Sequence, residues 1–148
     1  MAEIRVQNLH KRFDDFVAVA DSSFTIHDGE FFVMLGPSGC GKTTTLRMIA
    51  GLEMPTDGQI LIDGEDVTFK RGADRDIAFV FQLYALYPHM NVRRNISFPL
   101  RVKGVPRREI RERTEEVARM LRIEHLLDKG VGSLRAGGRQ RVALGRAI

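Results

Sequence analysis

The sequence predicts an α/β fold, and three observations predict it. A compact apolar run, Phe31-Phe32-Val33-Met34-Leu35, is followed by a glycine-rich loop and then by a stretch with Leu46, Ile49 and Ala50 at helical spacing. A second short run, Ile77-Ala78-Phe79-Val80-Phe81, has the same apolar character. From Tyr84 onward the chain becomes polar, basic and helical. Short apolar runs of this kind suit strands buried on both faces of a sheet.

The elements follow in order. Ile4, Val6 and Leu9 lead in with partial alternation, and Val17, Val19, Phe24 and Ile26 continue it across a polar break at Asp14-Asp15. His27-Asp28-Gly29 marks a turn before the first apolar run. Gly51 is placed to end the helix that begins near Lys42. Pro55-Thr56-Asp57-Gly58 reads as a turn, residues 59–62 as a short strand, and Asp63-Gly64 as another turn. Pro106 suits a first helical position, and Ile110, Thr114, Val117 and Leu121 form one stripe along the helix that follows. The pairs Arg108/Glu112, Glu109/Arg113, Arg111/Glu115 and Glu115/Arg119 are four apart, the pattern of a solvated face laced with weak ion pairs.

The 148 residues, 43% of them hydrophobic, suit one soluble domain. No apolar run approaches the roughly 18 residues of a membrane span. The start lacks an apolar signal core, so secretion is not expected. The single cysteine, Cys40, excludes an internal disulfide framework and a cysteine zinc cluster, and fits a cytosolic setting. The net charge of +4 hides an asymmetry. Residues 1–68 carry 5 basic and 11 acidic side chains, whereas residues 69–148 carry 18 and 8. Nucleic acid is not the expected partner, because acids are interleaved with the bases and stacking aromatics are not.

Gly36-Pro37-Ser38-Gly39-Cys40-Gly41-Lys42-Thr43 fits the phosphate-loop pattern G-x-x-x-x-G-K-[ST] at every fixed position. Glycines let the backbone curl so that successive N–H groups point at phosphate oxygens, at the start of a helix. Lys42 then reaches the β- and γ-phosphates, and the Thr43 hydroxyl ligates Mg²⁺. The expected ligands are therefore a nucleoside triphosphate and Mg²⁺. Cys40 stands at a variable position, read as a small residue pointing away; the sharper reading is a thiol activated by the helix N-terminus. Ile60-Leu61-Ile62-Asp63 would supply a metal carboxylate if it were a buried parallel strand, which would make the chain a kinase; Asp63-Gly64 is equally a hairpin turn.

The motifs GPSGCGKTT, IAGLE, VFQLYALYPHM and RQRVALGRAI, in this order and at these separations, resemble the ATP-hydrolysing subunits of ABC transporters. Among these the pattern is similar to that of the maltose-type sugar importers. The resemblance runs over essentially the whole chain. It implies a P-loop NTPase core of ABC type with an antiparallel β subdomain and a helical subdomain, incomplete at the C-terminus. Residues 1–83 would form the β subdomain and nucleotide-binding core, and residues 84–148 the helical subdomain. Phe13 would stack on adenine. Ser38, Gly39, Cys40, Gly41, Lys42, Thr43 and Thr44 would hold ATP and Mg²⁺, and Gln82 would contact the metal or the attacking water. Tyr84, Leu86 and Tyr87 would lie where a membrane permease docks. A second ATPase subunit would complete a head-to-tail dimer on the inner face of the cell membrane. The implied function is uptake of a solute, with sugar as the cargo. A non-catalytic, regulatory nucleotide-binding module is the alternative.

Two departures qualify the resemblance. Where the family carries L-S-G-G-Q, this chain reads Leu134-Arg135-Ala136-Gly137-Gly138, so a serine and a glycine that clamp the opposite subunit's nucleotide become Arg135 and Ala136. The chain also stops at Ile148, ahead of the family's metal-binding aspartate, catalytic glutamate and switch histidine; His10, His27, His89 and His125 all precede that place. A chain of this extent is expected to expose apolar surface, to bind nucleotide at best weakly, to hydrolyse it negligibly and to aggregate unless stabilised.

Overall fold

The computed structural model describes residues 2–148; Met1, the first residue of the expected segment 1–83, lies outside the described residues. The described chain falls into two compact units, one up to Ile77 and one from Ala78 to Ile148.

The first unit is built on an antiparallel sheet. Strands β1 (Ile4–Phe13) and β2 (Phe16–Ile26) form a hairpin closed at Asp14-Asp15. Strand β3 (Asp57–Ile62) pairs with the other edge of β1, and the two-residue β4 (Glu65–Asp66) pairs with β3, giving the order β2-β1-β3-β4. Val6, Leu9, Val19 and Ile60 enter one core, which Met48 and Ile49 complete from helix α1 (Lys42–Ile49). Leu9 reaches the face of Val6 because the register of β1 shifts between them, where Asn8 takes φ 45°. Asp63 and Gly64 both have positive φ, 49° and 79°, the requirement of a type I′ hairpin turn. This corrects the kinase reading. Asp63 is a turn residue whose carboxylate accepts from the Glu3 N–H at 2.8 Å, on an antiparallel rather than a parallel strand.

Helix α1 ends as its sequence predicts. Gly51 takes φ 68°, its N–H donates to the Met48 carbonyl (3.1 Å), and the Leu52 N–H donates to that of Arg47 (2.9 Å). This is a Schellman closure. Arg75, only 4% exposed, completes it. Its guanidinium donates to the carbonyls of Met48 (2.6 Å), Ile49 (2.9 Å), Thr68 (3.0 Å) and Lys70 (2.9 Å), tying the helix end to the segment after β4. Desolvation lowers its pKa from the usual arginine value. The negative end of the helix and four carbonyl dipoles offset that burial in place of a carboxylate.

Two expected strands are not formed. The run Phe31-Phe32-Val33-Met34-Leu35 is irregular, with Phe31 92% and Leu35 88% exposed, and Ile77-Ala78-Phe79-Val80-Phe81 is irregular too. A strand buried on both faces needs hydrogen-bonded neighbours and two covering layers. Among the described residues neither run joins the sheet. Phe32 instead stacks on Phe24 at 5.1 Å, and Ile77 packs against the first unit's core.

The second unit is helical: α2 (Val92–Val102), α3 (Arg107–Met120) and α4 (Ala136–Ala147). Regular helix starts at Val92 rather than at Tyr84, because the Asn91 side chain caps α2 by accepting from the Arg94 N–H at 2.9 Å. Pro106 is the cap residue of α3 and not its first helical residue. The core joins Val92 and Ile96 to Ala118, Ile123, Leu127, Leu134 and Val142, with Val117 and Leu121 of the expected stripe packed against it. Gly145 permits the approach of α4: a Cβ there would lie 3.0 Å from Leu121 Cδ1 and 3.1 Å from Val117 Cγ1. Three of the four anticipated ion pairs form on α3. Glu115 pairs with Arg93 of α2 at 3.6 Å instead of with Arg119.

Candidate functional site

The loop from Gly36 to Gly41 owes its shape to glycines in conformations that other residues avoid. Gly36, Gly39 and Gly41 have φ of 155°, 84° and 88°. At Gly41 the close approach is also steric, since a Cβ would sit 2.5 Å from the Ala18 carbonyl oxygen of β2. The loop is thus pressed against the sheet at its last residue and opens directly into α1, whose first residue is Lys42. The first turn of α1 contains no acidic residue and no side-chain cap. Among the described residues no acceptor takes the N–H groups of Gly41, Lys42, Thr43 or Thr44. Several inward-free donors at the positive end of a helix make an anion nest.

Lys42 is placed by the loop itself. Its ammonium donates to the carbonyls of Gly36 (2.8 Å) and Pro37 (2.6 Å) and lies 3.3 Å from Cys40 Sγ. A positive charge therefore stands over the loop before any ligand arrives. Cys40 is exposed, and its sulfur points back across the loop toward Gly36 and Lys42 instead of away. Ser38 is exposed, as is Thr43, whose hydroxyl makes no hydrogen bond among the described residues, while Thr45 is buried and bonds the Gly41 carbonyl (3.0 Å). The donor set is that of a phosphate site, with a free hydroxyl left for a cation. No cluster of three or more His, Cys, Asp or Glu residues fit to hold a metal occurs among the described residues.

Phe13 ends β1 with its ring 42% exposed and the Lys11 ammonium 4.6 Å from its centroid. The residue is partly exposed and the ring carries a cation within cation–π range. Lys11 is fixed there by Glu53 (2.8 Å), the last residue of the IAGLE motif, and by the Met54 carbonyl (2.8 Å), and sequence reasoning assigned neither a role.

Gln82 is exposed in an irregular segment of the second unit. The turn after it is strained, with Tyr84 and Ala85 at φ 64° and 46°. Two residues that sequence reasoning missed hold it. Arg146 of α4 donates to the carbonyls of Ala85 (2.7 Å) and Tyr84 (3.3 Å), and its guanidinium lies 5.1 Å from the Tyr87 ring centroid. Asn95 is wholly buried; it accepts from the Tyr87 N–H (2.9 Å) and its amide contacts the carbonyls of Tyr87, Met90 and Asn91. Leu86 packs against the helical core. An asparagine three residues from both Val92 and Phe98, on one face of the helix, was the available signal for Asn95, since a buried amide must be satisfied.

Leu134 is buried in the helical core, Arg135 is the extended residue before α4, and Ala136 and Gly137 form its exposed first turn. Neither Gly137 nor Gly138 has positive φ. A Cβ added at Gly138 would meet Leu134 Cβ at 3.5 Å, an ordinary contact. The segment is an ordinary helix start with arginine at its mouth.

The ABC transporter family description matches residues 19–148. The trehalose/maltose import ATP-binding protein MalK of Thermococcus litoralis is 54% identical over 100% of this chain and 41% of its own length. The trehalose import ATP-binding protein SugC of Mycobacterium tuberculosis is 52% identical over 100% of this chain and 38% of its own. The chain thus spans about two fifths of the length of these curated relatives. Among solved structures, the dimeric post-hydrolysis state of the ATP-binding cassette MJ0796 bound to ADP and Pi matches with a TM-score of 0.86 and 31% identity, over 98% of this chain and 68% of that one.

Proposed function

The chain belongs to the ABC transporter family, and from that premise we propose that it is the nucleotide-binding portion of an importer's ATP-binding subunit. Its work would be to couple ATP binding and hydrolysis to solute uptake, with a sugar as the cargo. The observation that carries the reading is the glycine-shaped loop of residues 36–41, running into a helix with free N–H groups under a loop-held lysine.

The chemistry follows from those groups. Gly36, Pro37, Ser38, Gly39, Cys40 and Gly41 shape the nest, and the N–H groups from Gly41 to Thr44 donate to phosphate oxygens. Lys42 exchanges loop carbonyls for the terminal phosphates, and the Phe13 ring receives the adenine. Mg²⁺ would be held by the Thr43 hydroxyl, with Gln82 as the mobile polar contact; when bound it neutralises phosphate charge. Residues 1–83 would act as the β and nucleotide-binding part and residues 84–148 as the helical part. Tyr84, Leu86 and Tyr87, braced by Arg146 and Asn95, would face a membrane permease. Leu134, Arg135, Ala136, Gly137 and Gly138 would meet the nucleotide of a second subunit. No helix among the described residues is long and apolar enough to cross a membrane; the proposed place is peripheral, on the inner face of the cell membrane.

A fluorescent ATP analogue titrated into the chain with Mg²⁺ tests this. Binding is expected to be saturable, competed by ATP, and weakened by about tenfold or more in Lys42→Ala, which removes a charge-assisted contact. Equal affinity in the wild-type and Lys42→Ala chains would remove the phosphate loop from the account.

A further inference from the structure

The second unit carries 15 of the chain's 23 basic residues and 6 of its 19 acidic ones, and 13 of those 15 are arginine. Part of that charge is organised. Along α2, Arg93, Ser97 and Arg101 follow one another at intervals of four and so share a face. Along α3, Arg107, Arg111 and Glu115 do the same. The two rows line one groove of about 580 Å³. Arg101 and Arg107 stand on either side of the short connection between the helices, so they mark the same end of it.

The charges at the two ends are settled differently. At the far end, the Glu115 carboxylate lies 3.6 Å from Arg93 and 3.1 Å from Arg111, and Arg93 also reaches Asp128 at 3.3 Å. At the near end, Arg101 and Arg107 have no acidic partner among the described residues. One carboxylate in the groove is shared by two arginines while two further guanidinium groups face it uncompensated. Ser97, buried in the floor, donates to the Arg94 carbonyl at 3.5 Å, the limit of hydrogen bonding, so its hydroxyl is free to turn to a better acceptor. Thr114 beside it is committed, donating to the Ile110 carbonyl at 2.6 Å.

Paired planar guanidinium forks match the geometry of phosphate oxygens better than that of a spherical anion. No aromatic side chain lines the groove, so nothing in it would stack a base. We propose that the groove between α2 and α3 binds a phosphate group, with Arg101 and Arg107 as its main ligands and the Ser97 hydroxyl as a further donor. The site is separate from the phosphate loop and does not depend on the function assigned to that loop. Free phosphate and the headgroup of an anionic phospholipid present the same oxygens, and the experiment separates them.

The full chain carrying Lys42→Ala, which disables the phosphate loop, is titrated with inorganic phosphate while backbone amide signals are followed. The same chain is sedimented with phosphatidylglycerol vesicles and, separately, with phosphatidylcholine vesicles. Signals in α2 and α3 are expected to shift saturably, and Arg101→Gln/Arg107→Gln should weaken binding by about tenfold or more. Arg108→Gln/Arg119→Gln removes equal charge outside the groove and should leave it intact. Co-sedimentation with phosphatidylglycerol alone that is lost in the groove variant identifies the headgroup as the source. Arginine-dependent phosphate shifts without such co-sedimentation identify free phosphate. Equal losses in the two double variants, or no saturable binding of either probe, would overturn the site. Circular dichroism checks the fold; if the double variant unfolds, Arg107→Gln alone is read, with a loss of severalfold expected and no loss counting against the proposal.

Discussion

Two helix starts in this chain are rich in glycine, and only one is shaped like a phosphate site. At α1 the glycines of residues 36–41 hold left-handed or otherwise glycine-only conformations, and the loop presses on β2. At α4 Gly137 and Gly138 lie in ordinary helical backbone, and the charge comes from Arg135 ahead of them. Glycine content is therefore not the determinant; positive φ and close approach are. The first start presents free backbone N–H groups, the second an exposed arginine side chain.

The largest expected contrast is between Gly41→Ala and Gly137→Ala. The first places a methyl group 2.5 Å from the Ala18 carbonyl at φ 88°, and should cost about 2–4 kcal/mol in urea denaturation along with nucleotide affinity. The second meets open space in a helix and should be neutral or stabilising by up to about 1 kcal/mol. Equal effects would erase the distinction.

Asn95→Ala sharpens the comparison from the helical side. It strands the Tyr87 N–H and leaves the loop after Gln82 to Arg146 alone. A loss of about 1–3 kcal/mol is expected, with local exchange of amides 84–91 accelerated and nucleotide binding at α1 unchanged.

The smallest effect concerns acid. The Asp66 carboxyl is lowered to about 2, chiefly by the Thr68 hydroxyl, then by Gln59 and the Thr68 N–H. Because its folded pKa is depressed, the stability it contributes is complete above about pH 4 and fades as pH falls toward 2. Wild type should exceed Asp66→Asn at pH 5, and the gap should narrow by pH 2; a gap constant with pH would show that those hydrogen bonds do not favour the charged form.

Much of this was legible locally. The phosphate loop, the Gly51 stop, the Asp63-Gly64 turn and three ion pairs on α3 are decided within a few residues, where pattern and turn chemistry suffice. The apolar runs at residues 31–35 and 77–81 were misread because a buried strand is a statement about neighbours, and none of the described residues pairs with them. Arg75, Asn95 and Arg146 escaped notice for the complementary reason. Each is an ordinary polar residue in sequence whose importance comes from the carbonyls that distant segments bring to it.

The lysine held by its own loop has a further consequence. With the carbonyls of Gly36 and Pro37 already on its ammonium, Lys42 would meet the proposed phosphate as an occupied receptor whose resident ligand is the protein. That internal competitor has a fixed effective concentration and never diffuses away. On the proposed function it sets a threshold on how good a phosphate must be to displace it: a singly charged anion is expected to lose the exchange and a multiply charged phosphate chain to win it.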